Sequence, residues 1–254
     1  MRTVVLVGGG HAHVQVLRRF AMDPPENARV LVVLDTPRAV YSGMVPGFVA
    51  GDYTIDQLAI DVLPLARRAG AGVIFSPALD LDPVRHEIAL EGRPALHFDL
   101  ASQDVGSTVR GLDLPGVRAH ALSTRPIGRF IHELEARLPE LASLARPPRI
   151  AIVGSGAAGV EIAFTLEARL RAQGLAPAIE LITPEPALLL GANAMTRRAI
   201  AREAAERGIT ARFEARAVRV DAAGVLTHAV ARTPSPKACL LYTSPSPRDL
   251  NPNL

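Results

Sequence analysis

The residues with the clearest chemical meaning are glycines that follow a short apolar run and open a helical pattern. Residues 4–7 are Val-Val-Leu-Val, and Gly8, Gly9 and Gly10 come directly after them. Apolar residues then recur at helical spacing. Such a strand–glycine–helix junction is typical of dinucleotide-binding proteins, because glycine lets the backbone approach a pyrophosphate and the helix N-terminus offers it free N–H groups.

Two further side chains determine how closely this junction follows the dinucleotide pattern. Asp35 ends the next apolar run, where a carboxylate accepts hydrogen bonds from a ribose diol. His13 stands where the pattern has its third glycine, and we expect its side chain to hold the helix away from the strand or to point outward. The alternative is a glycine-rich turn without a ligand. His11 and His13 do not share a helix face, so we predict no metal site.

A second junction of the same kind begins at residue 149. Residues 149–153 are Arg-Ile-Ala-Ile-Val, and Gly154, Gly156 and Gly159 complete the three-glycine pattern. One such fingerprint is a weak signal, but two in one chain favour two nucleotide sites. Glu161 stands in the first helical turn, where a carboxylate suits both the helix dipole and contact with a bound nicotinamide.

The strand that follows the second junction bears on the choice of nucleotide. It ends at Ile182, Thr183 rather than an arginine follows it, and Glu185 is the nearest carboxylate. An arginine there would pair with a 2′-phosphate, whereas a carboxylate repels one. We therefore expect NADH to be favoured over NADPH, with NADPH as the alternative.

The segments between the junctions must position them, and their patterns predict an α/β fold. We expect an interdomain hinge at residues 146–148, Arg-Pro-Pro. The other predicted elements are a helix over 55–69, a strand over 72–75, an antiparallel meander over 78–98 and an amphipathic helix over 127–138.

Charge and hydropathy exclude several classes of protein. The formal net charge is +3, and the arginines of the chain are scattered rather than clustered. We therefore expect no nucleic-acid partner. The first apolar run is too short for a secretory signal, and no run approaches the roughly 18 residues of a membrane helix. We expect the protein to be cytoplasmic.

The last segment differs from the rest in composition. Residues 233–254 contain the only lysine and the only cysteine, and they show neither helical nor strand periodicity. Residues 239–249 resemble one reading frame of a transposase-type sequencing adapter, and a natural Pro/Ser-rich tail is the alternative. We expect residues 233–254 to be a non-native or disordered tail and the natural protein to be cut off near Arg232.

The two junctions and the intervening meander together resemble the two-dinucleotide-binding-domain flavoproteins of the pyridine nucleotide-disulfide oxidoreductase superfamily. Residues 8–13, 41–47 and 99–107 are similar to one branch in particular. That branch contains type II NADH dehydrogenase-like proteins and the flavoprotein domain fused to selenide, water dikinase. The resemblance implies two Rossmann-like domains truncated at the C-terminus, with an FAD-binding domain over 1–146 and an incomplete NAD(P)H-binding domain over 147–232.

The resemblance also assigns residues to the two cofactors. Asp35 would hold the adenosine ribose of FAD, and Ala78 would meet the adenine through its backbone. Ser42 and Pro46 would approach the isoalloxazine ring, and Gly106 would close the turn on that side. The full set implied for FAD is Gly8, Gly9, Gly10, His11, Ala12, Asp35, Ser42, Pro46, Ala78 and Gly106. The set implied for the nicotinamide nucleotide is Gly154, Gly156, Ala157, Ala158, Gly159, Glu161 and Glu185.

The implied activity is transfer of hydride from NAD(P)H to flavin and then to a diffusible acceptor such as a quinone. Residues 1–232 contain no cysteine, so no redox-active disulfide is expected there, and the fragment itself is expected to be inactive. The alternative is a flavoprotein regulatory or nucleotide-binding module associated with selenophosphate synthesis. The missing C-terminal part would carry either a peripheral contact with the inner membrane face or a fused synthetase domain. The acceptor and a homodimeric state stay open.

Overall fold

The computed structural model describes residues 1–222, 224–227 and 239–242. The strands are β1 (Arg2–Val7), β2 (Ala28–Leu34), β3 (Arg38–Val40), β4 (Ala59–Asp61), β5 (Gly72–Phe75), β6 (Ala78–Asp82), β7 (Glu87–Leu90), β8 (Arg93–His97), β9 (Leu100–Gln103), β10 (Ala121–Ser123), β11 (Arg149–Val153), β12 (Ala178–Ile182), β13 (Thr210–Arg212), β14 (Ala217–Asp221), β15 (Gly224–Thr227) and β16 (Cys239–Tyr242). The helices are α1 (His11–Met22), α2 (Val45–Ala50), α3 (Ile55–Leu58), α4 (Val62–Arg68), α5 (Val117–His120), α6 (Ile127–Ala142), α7 (Ala157–Ala172) and α8 (Ala194–Glu206), with a 3₁₀ turn at Ser42–Met44.

The first compact unit comprises residues 1–42 and 56–106 and contains a four-stranded parallel sheet. The strand order is β5-β2-β1-β9, so β1 pairs with β2 on one side and with β9 on the other. One face of β1 packs through Leu6 against Val14 and Leu17 of α1. The other face packs through Val5 and Val7. Burial on both faces explains why β1 is apolar without alternation.

The antiparallel meander predicted over residues 78–98 is confirmed as the three-stranded sheet β6-β7-β8. Its residues Ile88 and Leu90 belong to the same buried cluster as Val5 and Val7 of β1. The meander therefore covers the face of the parallel sheet that α1 leaves open.

The single helix predicted over residues 55–69 is wrong. The segment forms α3, then the short strand β4 paired with β3, then α4. A continuous helix would place Pro64 in its interior, where proline lacks the N–H that bonds to the carbonyl of Ile60 and clashes with it. Instead the Asp61 side chain accepts a hydrogen bond of 3.0 Å from the Leu63 amide and begins α4.

The second compact unit comprises residues 43–55 and the described residues from 107 onward. Its sheet is parallel, with the strand order β10-β16-β11-β12-β13. Helix α7 contacts β11 and β12, and α6 contacts β10. The hairpin β14–β15 contributes Val220 and Val225 to a buried cluster with Val153 and Ile182 of the sheet.

The compact units divide at a different place from the predicted hinge at residues 146–148. Residues 107–146 were assigned to the first domain, but they pack with the second unit. The reason is that β10 is a strand of the second sheet and α6 packs against it. Helix α6 also continues to Ala142, one turn beyond the predicted end.

Part of the C-terminal segment has a regular structure that was not expected. Residues 239–242 form β16, which pairs in parallel with β10 and with β11. An apolar Cys-Leu-Leu-Tyr run suits a strand between two parallel neighbours. The expectation of a non-native or disordered tail stays a prediction; of its residues only 239–242 are described, and they are strand. No helix in the described ranges is long and apolar enough to cross a membrane.

Candidate functional site: two glycine turns

The first glycine turn lies at the carboxyl end of β1. Gly8 has φ +94°, and its amide donates a hydrogen bond of 2.8 Å to the carbonyl of Val33 in β2. A Cβ at Gly8 would lie 2.3 Å from the backbone oxygen of Asp104, so a side chain fits neither the space nor the backbone conformation. Gly10 then caps α1 in an extended conformation, with φ −66° and ψ 176°.

Asp104, which the sequence analysis did not single out, holds this turn. Its carbonyl accepts a 3.2 Å hydrogen bond from the Gly10 amide, and its Oδ2 accepts one of 3.1 Å from the His13 amide. A Cβ at Gly10 would lie 2.3 Å from the Asp104 carboxylate. The space that Gly10 leaves is therefore occupied by this side chain. The signal was available, because Asp104 follows β9 and the carboxyl ends of neighbouring parallel strands meet at one edge.

His13 occupies the third glycine position with its side chain directed inward, so the outward alternative is wrong and the alternative that the side chain holds the helix away from the strand stays a prediction. Its side chain is buried, with 1% exposure. Nδ1 lies 2.7 Å from the carbonyl oxygen of Gly8, and Nε2 lies 2.9 Å from Oγ of Ser102. Because a carbonyl only accepts, Nδ1 carries a proton, and in the neutral imidazole the Ser102 hydroxyl then donates to Nε2.

The other residues expected at FAD lie in several places. Asp35 is exposed directly after β2, at the same sheet edge as Gly8, and Ala78 is exposed at the start of β6. Gly106 has φ +78°. Ser42 belongs to the first compact unit and Pro46 to the second.

His11, at the first position of α1, has an imidazole nitrogen without a hydrogen bond among the described residues. Its ring centroid lies 4.5 Å from that of Tyr41. Its Nε2 is buried and has no hydrogen-bond partner among the described residues. Ala12, beside it, is exposed.

The second glycine turn lies at the carboxyl end of β11. Gly154 has φ +116°, and its amide donates to the carbonyl of Ile182 at 2.9 Å. Gly156 caps α7 with φ −70° and ψ −179°, and no side chain caps the helix. A Cβ at Gly156 would meet no atom within 4 Å. This turn therefore faces open space, as close approach by a pyrophosphate requires.

The predicted nucleotide residues of α7 surround this opening. Ala157, Ala158 and Glu161 are exposed in its first turns. Gly159, in contrast, is buried. The exposed set offers backbone amides and one carboxylate at the positive end of the helix dipole.

Ser155 and Thr183 brace the second turn, and neither was predicted to do so. Ser155 Oγ and Thr183 Oγ1 lie 2.8 Å apart and both residues are buried. Thr183 Oγ1 also accepts a 3.2 Å hydrogen bond from the Glu185 amide, while the Ser155 carbonyl accepts one of 2.9 Å from the Leu189 amide. This network fixes the backbone after β12 and leaves the Glu185 side chain exposed.

The donor set of the two turns fits an anionic dinucleotide rather than a metal. Each turn places first-turn amides and a positive helix end at the carboxyl edge of a parallel sheet. Within the described ranges, no three His, Cys, Asp or Glu side chains come together to hold a metal ion. The second turn is open, whereas the first carries the Asp104 carboxylate at its helix end.

Comparison with known proteins gives a family match over most of the chain. Residues 2–237 match the family model described as pyridine nucleotide-disulphide oxidoreductase. The protein MnmC of Caulobacter sp. (strain K31), named as a bifunctional protein of tRNA 5-methylaminomethyl-2-thiouridine biosynthesis, is 33% identical over 243 residues, covering 81% of this chain and 40% of the relative. The NADH dehydrogenase-like protein YutJ of Bacillus subtilis (strain 168) is 22% identical over 167 residues, covering 65% of this chain and 45% of that protein. The chain thus spans less than half of these curated relatives.

Solved structures share the fold at low sequence identity. The sulfide:quinone oxidoreductase of Aquifex aeolicus superposes with a TM-score of 0.80 at 17% identity, covering 96% of this chain and 59% of that one. The NDH2 of Plasmodium falciparum, solved in complex with NADH, also gives 0.80, at 12% identity and with coverage of 96% and 55%. The predicted α/β Rossmann-like fold is confirmed.

Proposed function

We propose that this chain, which belongs to the pyridine nucleotide-disulphide oxidoreductase family, is an FAD-dependent NAD(P)H oxidoreductase. FAD would bind at the first glycine turn and the nicotinamide nucleotide at the second. The final acceptor would be a diffusible molecule such as a quinone.

The observation that carries this proposal is that the two turns have the same backbone conformation. The first glycine has φ +94° at Gly8 and +116° at Gly154. In each case its amide donates to the carbonyl of the neighbouring strand, at 2.8 Å for Gly8 and 2.9 Å for Gly154. The capping glycine is extended at both Gly10 and Gly156. Duplication of a pyrophosphate-binding turn in one chain supports two dinucleotides.

The chain's own residues bind and orient, while FAD when bound supplies a flavin ring able to take up a hydride and release electrons. The first-turn amides of α1 would hold the FAD pyrophosphate, and Asp35 would accept hydrogen bonds from its ribose. The first-turn amides of α7 would hold the second pyrophosphate. Glu161 would lie near the nicotinamide end, because it is exposed one turn into α7.

The cysteine content supports a diffusible acceptor. A disulfide relay needs two sulfurs within bonding reach, and the sequence contains one cysteine. Two solved proteins with this fold are named as a sulfide:quinone oxidoreductase and an NDH2. Direct transfer to a quinone is therefore our preferred acceptor chemistry.

Cofactor binding and flavin reduction test the proposal. The intact natural protein should bind FAD with a flavin absorption spectrum, and NADH should bleach that spectrum in stopped flow. Gly156→Val is the sharpest variant, because a Cβ added there would meet no protein atom within 4 Å. It should keep FAD and the fold while slowing reduction by NADH.

The acceptor is tested separately with a soluble quinone against glutathione disulfide and lipoamide. Turnover with the quinone alone supports the proposal. A folded chain that binds no FAD contradicts the cofactor assignment, and disulfide reduction without quinone reduction contradicts the acceptor assignment.

A further inference from the structure

The Asp104 carboxylate lies where the proposed function places an anion, and this inference rests on that function. Its Oδ2 accepts a hydrogen bond of 3.1 Å from the His13 amide, one of the first-turn amides of α1. Those amides and the positive end of the helix dipole are the groups that bind a pyrophosphate.

The carboxylate is held by backbone alone. Asp104 is half-buried, and no ion pair to it occurs among the described residues. Gly10 leaves the space that the carboxylate fills, since a Cβ there would lie 2.3 Å from both Cγ and Oδ1 of Asp104. Among the described residues, its carboxylate accepts a hydrogen bond from the His13 amide, a donor that a bound nucleotide would also need.

The second glycine turn has the open space that Asp104 fills at the first turn. No side chain caps α7, and the space beside Gly156 is open to 4 Å. The two turns share their backbone conformation, but among the described residues only the first has a carboxylate that accepts a hydrogen bond from a first-turn amide. This contact points to a difference in how readily each turn accepts an anion.

We propose that Asp104 sets the affinity of the first turn for FAD. Its carboxylate occupies the anion position of α1 in the nucleotide-free protein, and it releases the His13 amide when the pyrophosphate binds. No covalent bond changes in this step. Like charges at short range repel, so the carboxylate weakens FAD binding and favours an exchangeable rather than a permanently held flavin.

Calorimetric titration of the full chain with FAD, ADP and adenosine tests the proposal. Asp104→Asn keeps an oxygen acceptor for the His13 amide and removes the charge. It should tighten binding of ADP and FAD by about fivefold or more, as removal of a nearby like charge implies. Adenosine, which has no pyrophosphate, should bind unchanged, and the gain for ADP should shrink in high salt.

Asp99→Asn is the matched control. Asp99 precedes the same strand, β9, and its Oδ2 accepts a 2.6 Å hydrogen bond from the Thr3 amide. The variant removes the same charge at the opposite end of the strand and should leave ADP affinity within about twofold, because exposed distant charges are screened.

The outcomes separate this inference from the proposed function. If the wild-type chain binds FAD and Asp104→Asn binds it equally or more weakly, the inference is wrong and the proposed function stands. If only Asp104→Asn binds FAD, the inference is supported and the cofactor assignment fails for the wild-type chain. If folded wild-type and variant chains both fail to bind FAD and ADP, both are wrong. As a second readout, the His13 amide resonance should shift when ADP binds to the wild-type chain.

Discussion

The imidazole Nε2 of His13 lies 2.9 Å from the hydroxyl oxygen of Ser102, and this contact joins the helix after the first glycine turn to strand β9. The opposite ring nitrogen bonds to the carbonyl of Gly8. A third glycine would let helix and strand pack closely through bare backbone. Here a buried, doubly bonded imidazole fills the same position and connects three segments of the unit.

The first prediction is that restoring the family glycine destabilises this protein. His13→Gly removes a buried ring and both of its hydrogen bonds, so we expect it to lower the free energy of unfolding by about 2–4 kcal/mol. Ser102→Ala leaves Nε2 buried without a donor and should cost about 1–3 kcal/mol. Urea denaturation measures both, with the exposed Ser107→Ala as the matched control near zero. A stabilised His13→Gly variant would contradict the interpretation.

The second prediction contrasts Gly8 with Gly10, since different parts of Asp104 block them. Gly8→Ala meets a backbone oxygen and requires φ +94°, so it should cost at least about 2 kcal/mol. Gly10→Ala meets a movable carboxylate and should cost about 1 kcal/mol through loss of the contact with the His13 amide.

A double-mutant cycle with Asp104→Ala checks this contrast. Asp104→Ala should relieve the cost of Gly10→Ala and leave that of Gly8→Ala unchanged, because only the side chain is removed. Equal relief at both glycines would show that the turn itself rearranges.

The glycine turns and the meander were predictable from the sequence because their signals are local. Apolar runs, turn residues and helical spacing identified β1, β11, α1, α7 and the strands β6 to β8. Even the break in the segment 55–69 has a local cause in Pro64, which lacks the N–H that a continuous helix needs.

What the sequence did not predict depends on contacts between distant segments. Asp104 reaches the His13 amide across 91 positions, and the pairing of β9 with β1 brings them together. The placement of β10 in the second sheet likewise depends on β16, far along the chain. Periodicity identifies a strand but not its neighbours, so neither contact could be read from pattern alone.

The third prediction concerns pH. Hydrogen bonds from the amides of Arg85 and Val84, at 2.9 and 2.8 Å, lower the pKa of Asp82 in the turn between β6 and β7. A carboxyl whose pKa is lower in the folded protein contributes stability above its unfolded pKa of about 3.9, and this is lost as pH falls through the folded value.

Carboxyl NMR titration should therefore give Asp82 a pKa below that of the urea-unfolded chain. Asp82→Asn should lose less stability than the wild type between pH 7 and pH 3. A folded pKa at or above the unfolded value would contradict the expectation.

The fourth prediction concerns Arg169, which joins three helices of the second unit. Its Nη1 lies 2.9 Å from Oε1 of Glu135 on α6 and donates at 3.2 Å to the carbonyl of Phe48 in α2. The side chain is 17% exposed, so Arg169→Ala leaves partly desolvated acceptors and should cost about 1–3 kcal/mol. Arg129→Ala breaks an exposed ion pair with Glu133 on α6 and should cost less than about 0.5 kcal/mol. Equal effects in urea denaturation would show that Arg169 adds no more than a surface pair.

The fifth prediction follows from the exposed carboxylate of Glu185, whose backbone Thr183 fixes after β12. If the nicotinamide nucleotide binds at the second turn, Glu185 repels a 2′-phosphate and the chain prefers NADH. Glu185→Arg replaces repulsion with a bidentate phosphate partner and should shift the ratio of NADPH to NADH affinity by at least about tenfold toward NADPH. Glu206→Arg, an equal charge change on the exposed end of α8, is the control and should leave the ratio unchanged. Fluorescence titration with both nucleotides measures the ratio. A wild-type preference for NADPH, or an identical shift in both variants, would show that Glu185 does not face the ribose.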